Sequence, residues 1–253
     1  MSFAIAVAGK GGNGKTSICS LIIRYLLKNG KGPVLAVDAD ANANLGESLG
    51  LAVRQTVGGV LAAFQNDKIR IPAGLTKEAY LEIKLNEVLV ESKGLDLLTM
   101  GRGEGQDCYC YPNTVLRKFV DSLSKTYPYL VMDNEAGMEH LSRGTTQNID
   151  ELLLVSNATV KGIRTIARIK ELVTELKLSV RNQRVVINLV NGELDPMVVA
   201  ELERSNIVPT VLIPVDEEIV RYDLDLKPLT ELPDTSEAVN AIDKLMEKIL
   251  GKV

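Results

Sequence analysis

The run Gly9-Lys10-Gly11-Gly12-Asn13-Gly14-Lys15-Thr16 fits the pattern G-x-x-x-x-G-K-[ST], and it lies between an apolar stretch and a segment of helical period. Residues of this kind at this spacing hold polyphosphate. The glycines let backbone N–H groups turn inward toward phosphate oxygens, and a helix starting there adds the partial positive charge of its N-terminus. Lys15 is expected to reach the β and γ phosphates and the Thr16 hydroxyl to ligate magnesium, with Gly11, Gly12, Asn13, Gly14 and Ser17 as further nucleotide contacts. Lys10 is surplus to that task within one chain. It is either a solvated loop lysine or a cation aimed at the nucleotide of a neighbouring subunit, where it would neutralise transition-state charge as an arginine finger does.

Acids stand at the ends of two other apolar runs. Val37-Asp38-Ala39-Asp40 offers two carboxylates, and Tyr129 to Met132 is followed by Asp133-Asn134-Glu135-Ala136-Gly137. Asp40 is expected to position or deprotonate the attacking water, and Asp38 to stand nearer the magnesium shell. Asp133 would hold magnesium through water, and the Gly137 N–H could sense the γ-phosphate. Glu135 is a rival base or a solvated surface acid. Asn188, after Val185-Val186-Ile187, carries a donor and acceptor pair that matches the adenine edge, or it caps the following turn.

A second chemistry is signalled by Asp107-Cys108-Tyr109-Cys110-Tyr111, after a glycine-rich stretch and before Pro112. Cysteines one residue apart suit an ordinary disulfide poorly and supply two thiolates, whereas a closed tetrahedral site takes four soft ligands. A symmetric dimer with this loop near its axis would bring two pairs together. The resulting site would suit zinc, nickel or another thiophilic metal, or an iron-sulfur cluster; the alternative is two small residues with no metal. Cys19 reads as a core filler, and His140, the only histidine, as a hydrogen-bonded structural residue.

These residues need a scaffold that brings strand ends together. Buried strands are predicted at Phe3 to Ala8, Val34 to Val37, Leu95 to Thr99, Tyr129 to Met132, Leu152 to Val155, Val185 to Ile187 and Val211 to Ile213. Helices are predicted at Lys15 to Lys28, Thr114 to Lys125, Ile163 to Leu176 and Val239 to Leu250. The alternation implies an α/β fold with a doubly wound, mostly parallel sheet flanked by helices. Residues 50–94 break the rhythm and read as an insertion, with a helix from Lys77 to Val90, in an otherwise single domain spanning 1–253. The apolar stripe of the last helix (Ile242, Leu245, Met246, Ile249, Leu250) could face a membrane or dock on the sheet; the interleaved Asp243 and Glu247 favour docking.

Composition narrows the field. With 29 basic and 33 acidic residues, a net charge of -4 and no long basic run, nucleic acid is not an expected partner. The first apolar run is too short to span a bilayer and has no charged region before it, so no membrane partner and a cytoplasmic location are expected.

The loop with its early lysine, a deviant form of the phosphate loop, resembles that of the dimeric ATPases that include nitrogenase iron protein, MinD and the partition ATPases, as do the Asp38-x-Asp40 strand end and Asp133 with Gly137. Within that class, Cys108-Tyr109-Cys110 and the run Asp133 to Leu141 resemble the CooC group, nickel-maturation ATPases for carbon monoxide dehydrogenase, and the related AcsF proteins that serve acetyl-CoA synthase. The resemblance implies a homodimer closed by ATP, magnesium with ATP or ADP, nickel or zinc on shared cysteine pairs, and nickel delivery to a client enzyme. It also implies that Lys10 acts across the dimer and that Asp40 is the hydrolytic aspartate. Ala41 stands where many relatives have proline, and 134–150 lacks the cluster cysteine of the iron proteins. An iron-sulfur or redox ATPase and a MinD/ParA-like positioning ATPase are the other readings.

Overall fold

Strand β1 (Phe3–Gly9) alternates small and branched side chains, and the two sets enter different cores. Ala4, Ala6 and Ala8 join one hydrophobic cluster, while Ile5 and Val7 join the other. Successive strand residues point to opposite faces, so a run apolar at every position needs a layer of helices on each side. Fully burying one Val, Leu or Ile side chain contributes about 1.5–3 kcal/mol, which makes this double burial the main force placing β1 at the centre.

The computed structural model describes residues 2–65, 71–102, 118–134 and 148–251. After β1 come α1 (Lys15–Lys28), β2 (Val34–Ala39), the short α2 (Leu45–Ser48), α3 (Val57–Gln65), α4 (Lys77–Val88), β3 (Val90–Ser92) and β4 (Leu95–Thr99). Residues 118–124 are helical (α5). There follow β5 (Tyr129–Asn134), β6 (Asn148–Asn157), α6 (Val160–Glu175), β7 (Ser179–Val190), α7 (Pro196–Arg204), β8 (Val211–Pro214), α8 (Glu217–Leu224), a 3-10 turn (Leu229–Glu231) and α9 (Glu237–Leu250). The sheet order is β3-β4-β2-β5-β1-β6-β7-β8. Every pairing is parallel except β3 with β4.

The mostly parallel sheet covered on both faces is the architecture expected from the alternation of strands and helices. All seven predicted strands are present, several of them longer than their apolar runs. β7 extends furthest, because its polar start is stabilised by partners: Arg184 and Asn182 hold the buried Glu151 of β6, with Arg184 Nε to Glu151 Oε2 at 2.6 Å. The stretch 50–94 interrupts the alternation with two helices in succession. Val57, Val60 and Leu61 of α3 and Leu81, Leu85 and Val88 of α4 belong to the main core, so this segment covers one face of the sheet. It also supplies β3, whose three half-buried or exposed residues carry no strand signal.

The last helix docks. Ile242, Leu245 and Met246 are fully buried, and Ile249 and Leu250 pack against the same cluster as α1. Among the described residues, no helix is long and apolar enough to cross a membrane. In this order β1 lies between β5 and β6, with β2 to one side and β7 and β8 to the other. Such a reversal leaves a crevice at the carboxyl ends of the central strands.

Candidate nucleotide site

The chain leaves β1 into that crevice through Gly9. A Cβ at this position would lie 2.1 Å from the Val155 carbonyl oxygen of β6, closer than real atoms approach, so only glycine lets the loop turn away while β1 stays paired. The loop ends at Gly14, in the left-handed region at φ 78°, which caps α1 with no side-chain hydrogen bond. The first N–H groups of α1 are therefore not bonded by a capping side chain, the arrangement that receives an anion.

Around this loop the structure gathers the expected residues from distant parts of the sequence. Lys15 is 6% exposed, and its ammonium lies 3.5 Å from the Lys10 carbonyl oxygen, folded over the loop. The Thr16 hydroxyl donates to Asp133 Oδ2 at 2.6 Å. Lys10 is exposed, and among the described residues its ammonium makes no ion pair. Asp38 and Asp133 are register partners on β2 and β5, both essentially buried.

The two buried acids differ in what their oxygens bond. Asp38 Oδ1 accepts the Asp40 N–H at 3.1 Å, and Oδ2 accepts the Leu45 N–H at 2.9 Å. Asp38 thus builds the turn that presents Asp40, whose own Oδ1 accepts the Asn42 N–H. Among the described residues, Asp133 Oδ1 is buried with no hydrogen-bond partner; a metal-bound water beside the Thr16 hydroxyl would satisfy it, so Thr16 and Asp133 fit a magnesium ion.

Burial pushes the Asp38 carboxyl up to about 6, against the lowering effect of its bonds from Leu45 and Asp40. Burial likewise pushes Asp133 up to about 7; the Thr16 hydrogen bond and Lys15 oppose this, and the charges of Asp38 and Asp40 add to it. An acid whose folded pKa lies above its unfolded value near about 4 contributes stability that is complete below the unfolded pKa and lost as pH rises through the folded one. Nucleotide-free and metal-free protein should therefore melt at a lower temperature at pH 8 than at pH 5.5. Asp133→Asn should raise the melting temperature at pH 8 and flatten the profile; an unchanged profile would refute the burial of a charged Asp133.

Asn188 lies near the carboxyl end of β7 and reaches the phosphate loop. Nδ2 donates to the Asn13 carbonyl at 2.9 Å, beneath the phosphate loop. Beside Thr16 and Ser17 opens a cavity of about 350 Å3, walled by α2 and the residue before it (Asn44, Glu47, Ser48) and by α8 (Ile219, Val220, Asp223). Sequence reasoning missed this wall. The available signal was Asp216, two residues after the β8 proline, whose side chain caps α8 through the Glu218 N–H. Cys19 is fully buried, with its thiol raised by burial, as a core filler should be. Cys108, Cys110, Glu135, Gly137 and His140 lie outside the described residues.

A phosphate loop on the central strand of a parallel sheet, flanked by acids from two neighbouring strand ends, defines a P-loop ATPase. More particularly, the chain belongs to the CbiA family, the CobQ/CobB/MinD/ParA nucleotide binding domain, which it matches over residues 4–229. It is 42% identical over 250 residues to an uncharacterized ATP-binding protein of Methanocaldococcus jannaschii, covering 98% of each chain. It is 30% identical over 183 residues to the carbon monoxide dehydrogenase accessory protein CooC of Rhodospirillum rubrum, covering 68% of this chain and 69% of that one. Of solved structures, the septum site-determining protein MinD complexed with Mg-ADP from Pyrococcus horikoshii superposes with a TM-score of 0.71 at 21% identity, over 99% of this chain and 97% of that one. That likeness shows the fold.

Proposed function

We propose that this ATPase couples ATP binding, dimerisation and hydrolysis to the delivery of nickel into a carbon monoxide dehydrogenase or acetyl-CoA synthase. The observation that carries the reading is the pair Cys108 and Cys110, two soft ligands one residue apart, in a chain similar to a carbon monoxide dehydrogenase accessory protein. Two such pairs, one from each protomer, make a four-thiolate site for nickel or zinc at the dimer axis. The closing of the dimer on ATP and its opening after hydrolysis would then assemble and release the metal, which is the cargo. The stripe on the last helix packs against the core, with Ile242, Leu245 and Met246 fully buried, which weighs against a role on membrane surfaces.

Within each protomer the roles follow from position. The N–H groups at the start of α1 and the Lys15 ammonium hold the β and γ phosphates, and the Thr16 hydroxyl with Asp133 holds magnesium. Magnesium, when bound, offsets the phosphate charge. Asp40 orients the water whose oxygen attacks the γ phosphorus and accepts its proton as the bond to the β-phosphate oxygen breaks. Lys10 reaches the partner's nucleotide. The nucleoside extends past Ser17 into the cavity, where Glu47 and Asp223 offer carboxylates to ribose hydroxyls.

Anaerobic metal analysis with ATP, with ADP and without nucleotide tests the proposal. About one nickel or zinc per dimer is expected, lost in the Cys108→Ser, Cys110→Ser double variant. Full metal retention in that variant removes the site, and a visible absorption band with bound iron replaces nickel delivery with an iron-sulfur role.

A further inference from the structure

We propose that Asn188 is a positioning residue that holds the phosphate loop in its anion-binding shape. The proposal rests on the assignment of residues 9–16 as the phosphate site and is independent of the nickel reading.

Three observations converge on this side chain. Asn188 is 6% exposed, and its Nδ2 donates to the carbonyl of Asn13 in the middle of the loop. Gly14, the next residue, has no Cβ where one would lie 2.4 Å from that same Nδ2, so the loop comes down onto the amide at this point. The Asn13 side chain in turn donates to the Val155 carbonyl of β6 at 3.5 Å. The loop is thereby tied to two neighbouring strand ends, through a main-chain atom to β7 and through a side chain to β6.

The consequence for chemistry follows from what an anion site requires. A glycine-rich loop has many conformations, and only those with N–H groups converging inward bind phosphate; any population elsewhere lowers affinity in proportion. By accepting from Asn188, the Asn13 carbonyl is fixed facing the sheet. The peptide it belongs to then directs its N–H, that of Gly14, to the opposite side, because the C=O and N–H of a trans peptide point in opposite directions. The fixed amide therefore acts on phosphate, which any nucleotide carries, and does not depend on the base.

Binding of magnesium tripolyphosphate, which has no base, separates the two roles. Asn188→Ala and Asn188→Asp should lose on the order of tenfold in affinity for ATP and for tripolyphosphate alike, the size expected when a buried carbonyl loses its donor. Asn188→Asp keeps the shape without the N–H, and its affinity relative to wild type should recover as the pH is lowered and the carboxyl regains an O–H donor. Loss for ATP with tripolyphosphate unaffected would make Asn188 a base reader and overturn the proposal. So would unchanged affinity for both, or a loss explained by a lower melting temperature with native affinity in the folded fraction. If Lys15→Ala leaves tripolyphosphate binding intact, the loop assignment fails and takes this inference with it.

Discussion

Lys10→Ala is expected to bind ATP and ADP almost as the wild type does, while its kcat falls by about 10³-fold or more, the range found when a cation supplied across an interface is removed from a phosphoryl transition state. Lys15, not Lys10, has its ammonium folded over the loop, and Lys10 contributes to its own loop a carbonyl oxygen while its side chain is exposed. A cation so placed serves its own nucleotide poorly and a facing one well. Steady-state turnover, nucleotide binding by fluorescence and ATP-dependent mass by light scattering make the check. ATP-induced dimerisation should fall together with kcat. A variant that dimerises and hydrolyses normally would end the case for action across the interface.

The second large effect is at Asp40. Asp40→Asn should retain nucleotide and still form the ATP-bound dimer, with kcat lowered by about 10²–10⁴-fold, because an amide of the same shape cannot take the proton of the attacking water. Asp38→Asn is the informative contrast. Its two oxygens accept the Asp40 and Leu45 N–H groups, and an amide can replace only one of them as an acceptor. That substitution should disturb the turn itself and cost stability as well as turnover. The comparison therefore reads kcat beside melting temperature: loss of kcat alone at position 40, loss of both at position 38. Equal melting temperatures for Asp38→Asn and wild type would show that the turn does not depend on the acid.

Much of this site was legible in the chain because its parts are local. The phosphate loop is eight consecutive residues, and the strand before it and the helix after it announce themselves by period. α1 begins and ends where the helical pattern places it, at Lys15 and Lys28. Elements set by distant contacts were harder to read. β3 is a strand only because β4 pairs with it, and the first half of β7 is polar and depends on Glu151.

By itself, then, the amino-acid sequence determined the phosphate loop, the acids at two strand ends, the parallel covered sheet and the cysteine pair, since each is written in residue type at short spacing. Tertiary structure decided what the oxygens of those acids bond. Asp38 and Asp133 have the same chemistry and nearly the same burial, yet backbone donors take up both oxygens of Asp38, while among the described residues Asp133 accepts from the Thr16 hydroxyl at one oxygen and has no partner at the other. It also decided what Asn188 touches: only the approach of Gly14 and Asn13 to the end of β7 brings its amide to a loop carbonyl. Hydrogen-bond partners separated by more than a hundred residues are fixed by packing, and no local pattern encodes them.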